Sequence, residues 1–243
     1  MTAVAGVVLA GALAGGGTGT GPAGPVPGGG GGAAEKAPVT FVALREVDPT
    51  VRQDMRYATA RNVTGRVVDG YDEPVCLLTR PAAEALRRAQ HGLLRQGYAL
   101  TVYDCYRPQR AVDRFVRWAR DEHDQTTKPS YYPHVDKSSL IPDGYIAEKS
   151  GHSRGSTVDV GLVRLPDRPV DMGTSFDFFD PLSHTDHPAT APQPRRHRDL
   201  LRRSLGEQGF VNLPEEWWHF TYRPEVHPGT YFDFPVRSAA VRP

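Results

Sequence analysis

Residues 150–163 read SGHSRGSTVDVGLV, and this stretch predicts a β-strand that carries a candidate site. Apolar residues alternate with polar or small ones over residues 157–163, and a period of two is typical of a strand. Asp159 lies among the apolar residues, and a buried carboxylate needs a cation or strong hydrogen-bond donors to stay charged. Gly161, on the same face, leaves room for such a cation. One face is predicted to carry Val158, Val160 and Leu162, and the other Thr157, Asp159 and Gly161.

Helical and extended segments alternate on both sides of this strand. The spacing of apolar residues predicts helices over residues 79–96, 108–120 and 197–208, and strands over residues 98–103 and 217–222. Thr79 is a candidate N-cap, Pro81 lies in the first turn, and Gly97 and Gly209 are stop signals. Residues 126–144 contain three prolines and are predicted to form a loop. The pattern predicts a single α+β domain with a central, mostly antiparallel sheet and packed helices.

Composition limits the classes of function. The chain has 243 residues, enough for one domain with a sizeable core, and no linker or repeat divides residues 39–235. The formal net charge of +1 gives no strong field that would attract nucleic acid or anionic lipid. We therefore expect one domain over residues 39–235, a flexible tail over residues 236–243 and no nucleic-acid partner. The sequence gives no prediction of the oligomeric state.

Residues 1–38 differ from the rest of the chain. Residues 4–14 are small and apolar, and residues 15–32 are nearly all Gly, Pro, Ala and Thr. The apolar run is too short to span a bilayer, but its length fits a signal peptide, and Ala12-Leu13-Ala14 is a candidate cleavage site. No Lys or Arg precedes the run, as a signal peptide would require. We expect an exported protein without a stable membrane span, and the alternative is a disordered low-complexity leader on a cytoplasmic protein.

The chain has two cysteines, Cys76 and Cys105. If the protein is exported, they can form one disulfide, and if it is cytosolic, two buried thiols are expected. Neither cysteine has the spacing of a cysteine-based metal site.

Two of the nine histidines stand in motifs that differ from the polar or loop settings of the others. His152 precedes the strand of Asp159, and His219 ends the segment EEWWH of residues 215–219. Two imidazoles and one carboxylate form a common catalytic zinc shell, which leaves the fourth position for water. Such a zinc ion polarises a carbonyl and lowers the pKa of its water toward 7. A structural metal site, another divalent ion or hydrogen-bonded core histidines are the alternatives.

Two further residues fit a hydrolytic site. Glu216 is a candidate general base that takes the proton of the activated water and delivers it to the leaving amine. In a regular strand, positions 216 and 219 point to opposite faces, so the chain must turn near residue 216, and Pro214 favours such a turn. Arg107 follows a predicted strand and can stabilise an oxyanion in a cleft. The alternative is a surface Arg107 paired with Asp104.

Several motifs resemble those of the VanX family of D-alanyl-D-alanine dipeptidases. The pattern Ser-x-His-x-x-Gly-x-x-x-Asp at residues 150–159, followed by EWWH at residues 216–219, is similar to the metal motif of that family. The resemblance covers residues 39–235 and implies a zinc D,D-peptidase with a hedgehog-like fold. Other matching segments, in order, are RYAT (56–59), NVTG (62–65), VDGY (68–71), YRPQRAV (106–112), SYYP (130–133), MGTSFDFF (172–179) and YFDFP (231–235).

The resemblance also implies roles for individual residues. His152, Asp159 and His219 would bind one zinc ion, Glu216 would be the general acid/base, and Arg107 would stabilise the tetrahedral intermediate. The positions that would hold the substrate are Tyr57, Tyr71, Ser150 and Asp177.

The substrate residues are expected to divide between the two ends of a dipeptide. Asp177, with Asp159 nearby, would face the ammonium group, whereas Ser150 and Tyr71 would face the carboxylate. Asp177 has an alternative role as a cap of the turn after residues 173–175, and Tyr57 and Tyr71 have an alternative role in packing.

The function implied is hydrolysis of D-alanyl-D-alanine in cell-wall metabolism or glycopeptide resistance. A site that pairs both termini of a dipeptide excludes longer chains, because an extension leaves a buried charge unmatched. One rival is a D,D-carboxypeptidase that trims peptidoglycan stem peptides with the same metal and base. Another is a non-catalytic, zinc-stabilised wall-binding module, against which Glu216 and Arg107 argue.

Overall fold

A computed structural model of the protein describes residues 35–241. The expected leader, residues 1–38, falls almost wholly outside the described residues. The strands are β1 Phe41–Ala43, β2 Arg52–Gln53, β3 Leu77–Thr79, β4 Tyr98–Asp104, β5 Thr157–Arg164, β6 Arg168–Pro169, β7 Phe210–Asn212 and β8 His219–Tyr222. The helices are α1 Leu44–Val47, α2 Arg80–Leu94, α3 Gln109–Arg120, α4 Lys128–Tyr131, α5 Pro192–Gly206 and α6 Ser238–Val241. Short 3₁₀ turns span Arg56–Ala58, Lys137–Ser139, Gly151–Arg154 and Pro181–Ser183.

The main sheet has the strand order β2-β4-β5-β8-β7, with β6 also paired to β5, while β1 and β3 form a separate antiparallel pair. Only the pairing of β2 with β4 is parallel among the strands of the main sheet in the described part of the chain. The prediction of an α+β fold with a mostly antiparallel sheet is therefore confirmed. Because β5 lies between β4 and β8, residues on all three strands meet near its start.

Strand β5 is covered on both faces. Val158, Val160 and Leu162 are at most 2% exposed, as the alternating pattern predicts, and Asp159 on the opposite face is also buried. The expectation that Gly161 leaves room for a cation is wrong. A Cβ at this position would lie 2.7 Å from the hydroxyl oxygen of Tyr103, so the tyrosine ring fills that space.

Most predicted elements are present, with shifted boundaries. The helix expected over residues 197–208 begins five residues earlier, at Pro192, because proline is well suited to the first turn of a helix. The region expected to be a loop, residues 126–144, contains α4 and a 3₁₀ turn. Thr79 precedes α2 as expected, but its hydroxyl group pairs with that of Ser156 and does not cap the helix.

The C-terminal segment is part of the fold over residues 236–241. Val236 is fully buried and forms a parallel bridge with Tyr71. The backbone N–H of Ala37 donates to the carbonyl oxygen of Ala240 at 3.0 Å. Val236 and Ala240 are buried, so the structure docks this segment on the core where a flexible tail was expected.

Among the described residues, no helix is both long and apolar enough to cross a membrane.

Candidate metal centre and active site

Three side chains meet at the start of β5. Asp159 of β5 is the register partner of His219 on β8, and His152 comes from the 3₁₀ turn that precedes β5. The distances from Asp159 Oδ1 to His152 Nε2 and to His219 Nδ1 are both 3.2 Å, and the two nitrogen atoms are 3.3 Å apart. The structure therefore brings together the three predicted metal ligands.

Asp159 Oδ1, His152 Nε2 and His219 Nδ1 form a triangle, called the metal triangle below, and its chemistry fits a metal ion. His152 Nδ1 lies 2.7 Å from the carbonyl oxygen of Cys105, which can only accept, so a neutral His152 presents its Nε2 lone pair to the triangle. Asp159 Oδ1 is buried and has no hydrogen-bond partner in the described structure. Ligand atoms around a tetrahedral zinc ion lie about 3.3 Å apart. Three converging ligand atoms at that spacing fit a divalent cation.

Local backbone structure places His152. The hydroxyl oxygen of Ser150 accepts from the His152 N–H at 3.2 Å and so caps the 3₁₀ turn. Gly155 ends the turn with a φ of 77°, and a Cβ there would clash with the ring of Phe41. Glycine is therefore required at this position, and the chain enters β5 with His152 and Asp159 on the same side.

Glu216 reaches the triangle through a turn. The His219 N–H donates to the Glu216 carbonyl oxygen at 3.2 Å, so residues 216–219 form a turn, and β8 begins only at His219. The strand predicted over residues 217–222 is thus two residues too long at its start. The side-chain amide of Asn212 donates to the carbonyl oxygens of both Glu216 and His219 at 3.0 Å, which pins the turn.

The Glu216 carboxylate lies 3.4 Å from His219 Nδ1, beside the metal triangle. Burial raises the pKa of Glu216 to about 7, and the negative charge of Asp159 adds to the increase while His219 opposes it. A general acid/base works best with a pKa near the working pH. Both its position beside the triangle and the direction of its pKa shift are compatible with the predicted role as a general base.

Arg107 lies in the site and not on the surface. Its guanidinium Nη2 is 2.8 Å from Asp104 Oδ2 and 3.5 Å from Asp159 Oδ2, and its side chain is only 14% exposed. The guanidinium also lies 5.0 Å from the ring centre of Tyr57 and 5.1 Å from that of Phe115. The predicted ion pair with Asp104 is present, but it holds Arg107 at the edge of the metal triangle.

Asp104, which the sequence suggested only as a surface partner of Arg107, is a buried residue of the site. Its carboxylate accepts from the Tyr71 hydroxyl at 2.7 Å and from Arg107 Nε at 2.9 Å, and Oδ2 lies 3.4 Å from His152 Nδ1. A register shift in β4 between Val102 and Asp104 places Asp104 opposite Asp159. Its signal in the sequence was its position directly after the apolar strand predicted over residues 98–103.

The predicted substrate residues divide into two groups. Tyr57, Ser150 and Asp177 line the cavity that contains the metal triangle, whereas Tyr71 is not among its lining residues. The Tyr71 hydroxyl donates a hydrogen bond to Asp104, which in turn binds Arg107, so this tyrosine supports Arg107 indirectly. The structure therefore does not bring Tyr71 to the place where a substrate carboxylate was expected.

Asp177 closes one side of the cavity. Its Oδ2 accepts from the Tyr57 hydroxyl at 2.8 Å, and its φ of 59° is in the left-handed region that aspartate tolerates better than most residues. Burial and the nearby negative charge of Asp159 raise the pKa of Asp177 well above its usual range. A cationic group entering the cavity would favour the charged carboxylate.

The cavity itself is small. Its volume is about 210 Å³, below the range of about 300–1,000 Å³ that is usual for sites of larger ligands. Arg107, Glu216 and the metal triangle all face into it. Its size suits a substrate of about two small residues.

Cys76 and Cys105 form a disulfide in the structure, with Cα atoms 5.3 Å apart. Cys105 directly follows Asp104 and is fully buried.

Replacement of Asp104 tests its supporting role. In Asp104→Asn, Arg107 and Tyr71 lose a charged acceptor, and we expect kcat to fall about 10- to 100-fold, as for other outer-shell groups of metal sites. Steady-state kinetics with metal analysis checks this. Asp143→Asn, at an exposed position, is the control, and an unchanged kcat in Asp104→Asn would contradict the role.

The fold and the site together define a metallopeptidase: a buried His-Asp-His triangle with a glutamate beside it, in a small cavity at one end of the central strand β5. A peptidase M15 family model, described as D-ala-D-ala dipeptidase, matches residues 37–237. The chain belongs to this family.

Individual relatives agree with this assignment. The chain is 42% identical over 200 residues to a D-alanyl-D-alanine dipeptidase of Enterococcus faecium, which covers 82% of this chain and 99% of the relative. It is also 42% identical to a D-alanyl-D-alanine dipeptidase of Streptomyces coelicolor, over 81% of this chain and 98% of the relative. Among solved structures, the vancomycin-resistance D,D-pentapeptidase VanY in complex with Zn(II) matches with a TM-score of 0.38 and 12% identity, over 64% of this chain and 77% of that chain.

Proposed function

We propose that this protein is a zinc-dependent dipeptidase that hydrolyses free D-alanyl-D-alanine to two D-alanines. The observation that carries the proposal is the Glu216 carboxylate 3.4 Å from His219, beside a triangle of ligand atoms with edges of 3.2–3.3 Å. His152, Asp159 and His219 would hold one zinc ion. A zinc ion bound there supplies Lewis acidity, which polarises a peptide carbonyl and acidifies water.

The protein's own residues supply the rest of the reaction. Glu216 takes a proton from the attacking water and transfers it to the nitrogen of the leaving D-alanine, so that the amine leaves in neutral form. Arg107 is held by Asp104 at the edge of the triangle, where its positive charge faces the negative charge that develops on the scissile carbonyl oxygen. Because Arg107 is fixed before the substrate binds, little reorganisation is needed during the reaction.

The ends of the substrate are recognised by different groups. We assign the ammonium group to Asp177, whose carboxylate faces the cavity and is held by Tyr57. We assign the carboxylate group of the substrate to Ser150, which also lines the cavity, and not to Tyr71. The small cavity favours a free dipeptide over a peptidoglycan stem peptide.

Hydrolysis assays test the proposal. D-alanyl-D-alanine, L-alanyl-L-alanine and a pentapeptide that ends in D-alanyl-D-alanine are assayed side by side, with and without a chelator. We expect rapid cleavage of the first substrate alone, loss of activity on chelation, and about one zinc ion per chain, as a single three-ligand site requires. Equal cleavage of the pentapeptide would show that the protein is a D,D-carboxypeptidase and not a strict dipeptidase.

The role of Asp177 is tested by Asp177→Asn. A hydrogen bond to a charged group contributes about 1.5–3 kcal/mol, so removal of the carboxylate charge is expected to raise KM about 10-fold or more. Binding of zinc should not change, because Asp177 is not part of the metal triangle. A KM within twofold of the wild-type value would show that the ammonium group is recognised elsewhere.

We also propose that the protein is exported and acts on dipeptide released during wall turnover. The disulfide supports this, because such bonds persist in oxidising compartments and are rare in the cytosol. Fractionation of the native producing cell, followed by immunoblotting, tests the location. Recovery of the protein in the cytoplasm alone would contradict export.

A further inference from the structure

The disulfide and the metal triangle are connected through one peptide carbonyl group. Cys105 is bonded to Cys76, and the carbonyl oxygen of Cys105 lies 2.7 Å from His152 Nδ1. We propose that the Cys76–Cys105 disulfide is a positioning element of the metal centre. It fixes the carbonyl group of residue 105, and with it the orientation and tautomer of His152, and so raises the affinity for zinc. This inference rests on the proposed zinc site.

The peptide of residue 105 lies where sheet pairing ends. The β4–β5 ladder shifts register between Val102 and Asp104, and Asp104 is the last paired residue of β4. Cys105 follows immediately, and α3 begins at Gln109. Beyond the bulge, the antiparallel ladder therefore does not fix the direction of the Cys105 carbonyl group.

The other half of the disulfide is firmly anchored. The Cys76 N–H donates to Gln53 Oε1 at 2.9 Å, and the Cys76 carbonyl oxygen accepts from the Leu44 N–H at 2.9 Å. Both cysteines are at most 1% exposed. A covalent link from this anchored residue therefore holds the segment after β4 in place.

One backbone hydrogen bond supports the link. The Tyr106 N–H donates to the carbonyl oxygen of Leu77 at 2.9 Å, next to the disulfide. Because the peptide group is planar, this bond also orients the Cys105 carbonyl group, while the disulfide holds the Cα atom of residue 105 at the other end of the same peptide group.

His152 depends on the carbonyl group of Cys105. This oxygen is the nearest acceptor to Nδ1, since Asp104 Oδ2 lies 3.4 Å away. The group that receives the second N–H of a ligand histidine sets the tautomer and the basicity of the ring, and its loss commonly lowers metal affinity 10- to 100-fold. If loss of the disulfide lets the Cys105 carbonyl group move away from His152, zinc binding is therefore expected to weaken.

The test compares zinc affinity with and without the disulfide. In Cys76→Ala/Cys105→Ala, competition with a chromophoric chelator is expected to show a zinc Kd about 10- to 100-fold higher than in the wild type. Leu93→Ala is the matched control, because it opens a cavity in the same core but lies on α2, away from the residues that line the site. Its zinc Kd should stay within twofold of the wild-type value.

The outcomes separate this inference from the proposed function. If the wild-type protein binds zinc and the double variant binds it with equal affinity, the inference is overturned but the proposed function is not. A wild-type protein that binds no zinc overturns the metal site itself. Free thiols in unfolded, unreduced wild-type protein would also overturn the inference, because the bond would then be absent.

If the double variant does not fold, a second measurement on the wild-type protein tests the inference. Wild-type protein is unfolded, reduced with a phosphine and refolded with the phosphine present. The phosphine is oxidised to its oxide with the oxygen of water, and the disulfide takes up two electrons and two protons to give two thiols. The zinc Kd of this reduced protein is expected to rise as in the variant, and an unchanged value would contradict the inference.

Discussion

Glu216→Gln is expected to lower kcat for D-alanyl-D-alanine by about 10²- to 10⁴-fold and to leave zinc bound. The amide is nearly the same size as the carboxylate but cannot accept the proton of the attacking water, and positioned acid/base groups contribute about 10²–10⁴-fold. The ligand triangle does not include Glu216, so its three metal-binding atoms are unchanged.

Stopped assays with high enzyme concentration, combined with metal analysis, measure both quantities. Glu215→Gln is a matched control one residue away, because Glu215 is exposed and does not line the cavity. It should have wild-type kcat. Activity of Glu216→Gln above one tenth of the wild-type value would show that another group carries the proton.

His219→Ala is expected to abolish both stable zinc binding and activity. His219 provides one of three ligand atoms, and its loss leaves His152 and Asp159, which are too few for a catalytic zinc site of the usual type. The effect should differ in kind from that of Glu216→Gln, in which the metal stays. Dialysis against a weak chelator followed by metal analysis distinguishes the two variants.

His123→Ala provides the control for removal of an imidazole, because His123 is exposed on a loop after α3. It should retain about one zinc ion per chain, as a single three-ligand site requires. Full zinc occupancy in His219→Ala would mean that the ion is held by other residues.

The sequence predicted the parts of the fold that have a regular pattern. The alternation over residues 157–163 identified β5, and the spacing of apolar residues with the following glycine identified α2. Strands β1 and β3 were not predicted, because three residues are too few to show a period, and their pairing depends on distant parts of the chain. The docking of Val236 beside Tyr71 was missed for the same reason.

The candidate site was predicted by residue type, and its geometry came from the fold. The sequence could suggest that His152, Asp159 and His219 share an ion, but their convergence depends on the antiparallel register of β5 and β8. The need for a turn near residue 216 could be deduced from strand geometry. The pairing of Arg107 with Asp104 could also be suggested, but its burial beside Asp159 could not, because that depends on a bulge in β4 that no local pattern indicates.

The bridge between Tyr71 and Val236 joins residues that lie far apart in the sequence. A contact of such long sequence separation must close a large loop, so it is expected to form late in folding, after the local helices. The backbone beside the tyrosine that supports Asp104 and Arg107 is therefore completed late. During refolding, hydrolysis should appear only once residues 236–241 have docked on the core.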